Sequence, residues 1–76
     1  MNILQKTREE FANLYQDCIE EVLTGKVVVN DKERYIKWKK ELKKEVLSGK
    51  HDDTFTFRQV LWYNQTGEMI PLLGGL

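Results

Sequence analysis

The sequence predicts an all-α fold, a small three-helix bundle, and three observations carry that prediction. The same ending is written three times. EVLTGK at 21–26, EVLSGK at 45–50 and TGE at 66–68 each place a glycine just behind apolar residues at helical spacing. Glycine reaches the left-handed conformation that closes a helix, which a β-carbon resists. Capping-box patterns stand ahead of the same stretches, and at about 100° per residue their apolar side chains gather into stripes. The segments upstream of the two EVL endings, YQDCIE and KKELKK, share only helical character. A true repeat keeps its likeness along the whole unit, so these are stop signals and not a duplicated module.

The first helix is predicted over 4–24. Thr7-x-x-Glu10 reads as a capping box ahead of Phe11, with Ile3 as an earlier alternative start. Its stripe takes Leu4, Phe11, Leu14, Tyr15, Cys18 and Val22, and Glu10, Asp17 and Glu21 form an acidic edge. Cys18, in mid-stripe, is expected as a small buried hydrophobe and not as a reactive nucleophile.

The second helix is predicted over 31–48, opened by Asn30-x-x-Glu33 with asparagine as the cap. Tyr35, Trp38, Leu42 and Val46 form its stripe, and Lys37, Lys40 and Lys44 point almost directly away. The third is predicted over 57–66, opened by Thr56-x-x-Gln59, with Phe55 and Val60 placed as a hydrophobic staple. A tail, EMIPLLGGL, follows, in which Pro71 prevents continuation as helix. An α+β alternative competes with this. TFTF alternates with period two and VLWY is rich in strand formers, so Val27–Val29 and Thr54–Phe57 could pair as a short hairpin.

Residues 1–76 make one small domain, of a size that buries only about 60% of the surface its unfolded chain exposes. Twelve Lys and Arg balance twelve Asp and Glu, so no global field draws in nucleic acid or an anionic membrane. MNILQKTREEF lacks the basic start and apolar run of a signal peptide. No apolar run approaches the roughly 20 residues of a membrane span, and a single cysteine suits a reducing compartment. A cytoplasmic protein without a membrane partner is the expectation.

Acid–base or nucleophilic catalysis needs two or three polar groups converging in a pocket. The chain offers one histidine and one cysteine, on different elements. No catalytic residue is assigned, and neither an enzyme nor a small-molecule substrate is expected. HDD at 51–53 could supply metal ligands, but a closed site needs about four and no partner cluster stands at helical or hairpin spacing. It reads as a polar link, with no metal. The glycines are isolated helix stops and not a phosphate loop, so no cofactor is expected.

Binding remains. In the third helix Phe57, Val60 and Leu61 suffice to face the other two, and Trp62 and Tyr63 project sideways. A helix apolar nearly all round is covered on both sides or exposes a sticky surface. Arg58, Trp62 and Tyr63, with Met69, Ile70, Leu72 and Leu73 of the tail, are therefore the candidate protein-binding residues. Residues 68–76 either dock a partner or fold back onto the core. The function expected is that of a non-enzymatic accessory or inhibitor protein, binding another protein or a second copy of itself. Small charge-balanced chains of this kind are common among phage and mobile-element factors that modulate host machinery. One alternative is weak, non-specific nucleic-acid binding through Lys37, Lys40 and Lys44. Against it, ring and cation must reach the same strand, and the rings here are assigned to the core. A helix-turn-helix is also disfavoured, because the link after Gly49 exceeds a turn of about 3–4 residues. The remaining alternative is a structural dimerisation module.

Overall fold

A computed structural model describes residues 2–68. Within them the chain forms α1 (Ile3–Leu23), α2 (Lys32–Ser48) and α3 (Phe55–Thr66). There is no strand among the described residues, which overturns the hairpin. Val27–Val29 lie in the link between α1 and α2, with Val28 almost fully exposed, and Thr54–Phe57 are the cap and first turn of α3. The alternation in TFTF comes from a capping threonine followed by a helix whose third residue turns inward.

The stops fall where predicted. Gly25, Gly49 and Gly67 have φ of +82°, +91° and +77°. The starts do not. Asn2 caps α1, its Oδ1 accepting from the Leu4 and Gln5 amides at 3.0 and 3.3 Å. Thr7 lies inside the helix and is fully buried. Its Oγ1 donates to the Ile3 carbonyl at 2.9 Å and accepts from Asn64 Nδ2 of α3 at 3.0 Å. The capping-box spacing thus marks an interior link between α1 and α3. Asp31, one residue after the predicted Asn30, caps α2 through the Arg34 amide at 3.1 Å. Its full charge suits the positive end of the helix better than an amide does. Thr54, two residues before the predicted Thr56, caps α3 through the Phe57 amide at 3.2 Å. Phe55 is then the first residue of the helix, half exposed, and not a staple.

Helix α1 is the shared support. Helices α2 and α3 each pack on it, and their backbones make no close approach to each other. Ala12, Val46 and Phe57 are buried together, with Leu4, Phe11, Tyr15 and Leu61 packed around them. The Phe11 and Phe57 rings stack at 5.4 Å between centroids. Farther along α1, Ile19 and Val22 are buried as well. The predicted stripe of α1 needs two corrections. Leu14 is exposed, because it lies nearly opposite Ala12 on the wheel and both neighbours sit on the other side. Cys18, at the margin, is only partly buried.

The corner between α2 and α3 is held by charge. Arg8 of α1 meets Asp52 as a two-pronged pair, with Nε donating to Oδ1 at 3.1 Å and Nη2 donating to Oδ2. Such fork geometry is the strong form of a charged hydrogen bond. Beside it Lys50 Nζ reaches Glu45 at 2.9 Å. The hydrogen bond from Arg8 holds the Asp52 carboxyl below its ordinary range, against an opposing effect of burial. Lys50 does the same for Glu45.

A folded pKa below the unfolded one contributes stability that is present above the unfolded value and is lost as pH falls through the folded one. The melting temperature is therefore expected to fall below about pH 4, near the unperturbed carboxylate range. Asp52→Asn should lower it at neutral pH and flatten the acid limb. An identical acid limb in that variant would show that the pair contributes nothing.

Candidate functional site

Two surfaces stand out once the helices are in place. The first is the outer face of α3. Phe57 is 0% exposed and turns to α1, with Val60, Leu61 and Asn64 on the same side. Trp62 is 46% and Tyr63 48% exposed, and Phe55 joins them. At 100° per residue, Phe55, Gln59, Trp62 and Thr66 fall in one narrow arc opposite Phe57, and Tyr63 borders it. Arg58 is exposed on the flank and is the sole charge among the twelve residues of the helix. The other predicted binding residues, Met69, Ile70, Leu72 and Leu73, lie outside the described residues. Phe55 was assigned to a staple; its seven-residue spacing from Trp62 is the pattern that would have placed it on this face.

The second surface is the flank of α2. Trp38, expected in the core, is 52% exposed. It borders an open hollow of about 710 Å³ together with Arg34, Tyr35 and Lys37. The core-facing place is held by Lys39, which is partly buried. Its ammonium lies 4.5 Å from the Trp38 ring centre, 5.4 Å from Tyr35 and 5.5 Å from Tyr15 of α1. A lysine can cover apolar surface with its stem while its charge sits against ring faces. Tyr35 meets Trp38 edge-on at 6.0 Å. Burial pushes the Tyr35 phenol above its ordinary value, and nearby Cys18 and Glu21 add to the effect. Lys37, Lys40 and Lys44 are exposed along the outer side.

The HDD segment is occupied structurally. Asp52 serves Arg8, and His51 Nε2 stands 3.7 Å from Glu45 Oε1. That nitrogen is buried without a hydrogen-bond partner, beside a small cavity of about 230 Å³ lined by Phe11, Tyr15, Val46 and Phe57. His51 with the neutral hydroxyl residues Thr54 and Thr56 on the same wall does not supply the converging set that acid–base chemistry needs. Among the described residues no three His, Cys, Asp or Glu side chains are grouped to hold a metal. No helix among them is long and apolar enough to cross a membrane. No protein-family model, curated protein or solved structure matches the chain.

Proposed function

We propose that this is a non-enzymatic accessory or inhibitor protein of a reducing compartment, which docks onto a protein partner through the outer face of α3. The observation that supports this is the exposure of Phe55, Trp62 and Tyr63 on the side of α3 turned away from α1. A short helix gains little by exposing three aromatic rings to water. Such rings are the usual anchors of binding hot spots. Their i, i+7, i+8 placement suits a helix laid into an apolar groove. Twelve residues span only about 18 Å, and a stable interface buries about 800 Å² per partner. A partner that wraps around the helix meets that need better than a second copy pressed face to face.

Affinity capture from the native cell lysate, with and without nuclease, would supply the partner for titration. Trp62→Ala or Tyr63→Ala should weaken binding by about 2 kcal/mol or more, about thirtyfold in Kd, and leave the domain folded. Sedimentation of the isolated protein would reveal a second copy as the occupant. Undiminished binding by both variants, or unfolding by Trp62→Ala, would refute this reading.

A further inference from the structure

We infer that the flank of α2 is a binding surface for single-stranded nucleic acid, with a base stacked on Trp38 and the backbone phosphates held by Arg34 and Lys37. Three independent features point there. Charge is segregated although the chain is neutral: α2 carries seven Lys and Arg against three Glu, and α1 carries two against five acidic residues. The exposed ring is on the basic helix. The hollow bordered by Trp38 also takes in Arg34 and Lys37, so ring and cations open onto the same space. That is the geometry a stacking-plus-phosphate site requires.

Lys39 completes the platform. Its ammonium lies over the Trp38 ring and also stands near the Tyr35 and Tyr15 rings, which links the indole to both α1 and α2. Slightly more than half of Trp38 is nevertheless exposed. Lys40 and Lys44 continue the positive row along the outer side. Two carboxylates temper the site. Asp31 is engaged by the Arg34 amide, and Glu41 borders the hollow and repels phosphate. The expected binding is therefore modest, salt-sensitive and indifferent to sequence. Because stacking needs an unpaired base, single strands should bind better than duplex. The surface lies on a different helix from the aromatic face of α3, so the two can act separately.

The test is fluorescence anisotropy with a labelled oligothymidylate of about 20 nucleotides, long enough for several site sizes, beside a duplex of equal length. Affinity for the single strand should fall about tenfold between about 50 and 200 mM salt, as release of two or three counterions gives. Trp38→Ala should weaken it about tenfold. Arg34→Gln with Lys37→Gln should weaken it and flatten the salt dependence. In a Trp62→Phe background, titration should quench the emission of Trp38 itself, a readout that leaves the ring in place. Absence of binding at low salt overturns the inference. So does equal affinity for duplex, or unquenched Trp38 emission at saturation.

Discussion

Replacing Phe57 with alanine is expected to remove most of the stability of this domain. The ring is fully buried, stacks on Phe11, and shares its cluster with Ala12 and Val46. Truncating such a side chain costs about 3–5 kcal/mol in lost burial plus the cavity left behind. Small domains hold about 5–15 kcal/mol in total, and a chain of this size belongs near the lower end. Thermal melting followed by far-UV circular dichroism measures the loss. The instructive comparison is Trp62→Ala, five positions along the same helix, which should melt close to the parent because its ring is half in water. If the two variants melt alike, the assignment of the inner and outer faces of α3 is wrong.

The second large effect is expected at Gly49. With φ at +91°, any L-residue there is strained, and a β-branched one most of all. Space is closed as well. A β-carbon would stand 2.7 Å from Arg8 Nη2 and 3.3 Å from Asp52 Oδ2, so the end of the Arg8 side chain would have to shift. Backbone strain of this kind costs about 1–3 kcal/mol, and the disturbed ion pair adds to it. Gly49→Val should therefore destabilise by roughly 2–3 kcal/mol. Gly25→Val is the control, since φ is +82° there but nothing lies within 4 Å of the added carbon. The Gly49 variant should lose more than the Gly25 variant. Combining Gly49→Val with Arg8→Ala should cost less than the two separately, as coupled neighbours do. Equal losses at the two glycines would mean that the fork does not press on Gly49.

The three helices and their stops were legible because glycine at a left-handed position is a local requirement, read from a few adjacent residues. The inward set of α3 was legible for a similar reason, since Phe57, Val60 and Leu61 leave little choice of face. The capping residues were not. Threonine, asparagine and aspartate are all good caps, so Asn30 and Asp31, or Thr54 and Thr56, differ only in which amide the folded chain brings within reach. Thr7 satisfied a capping pattern from inside a helix, where its real partner is Asn64, 57 residues away. The pairing of Arg8 with Asp52 likewise spans a separation of 44 in sequence.

On α2 the helical wheel located a stripe but not its edges. Lys39 takes an inward position because its stem is apolar, and Trp38, one residue earlier, falls about 100° away on the flank. A rule that sorts residues by their head group alone would miss both. The candidate surfaces inherit this difference. Trp62 and Tyr63 could be singled out from their own helix, whereas Trp38 becomes a candidate only when the place of its neighbour is known.

The reliance of α3 on anchors distant in sequence has a consequence for the order in which the chain takes shape. The hairpin of α1 and α2 closes across the short link 24–31. Contacts close in sequence cost little loop entropy and form early. The anchors of α3 reach back much farther, from Phe57 to Phe11 and from Asn64 to Thr7. A helix of twelve residues has little stability of its own in water. It is therefore expected to be the last element to form and the first to unfold. The aromatic face exists as a face only on a finished molecule, so an immature or damaged chain would present no ordered version of it to a partner.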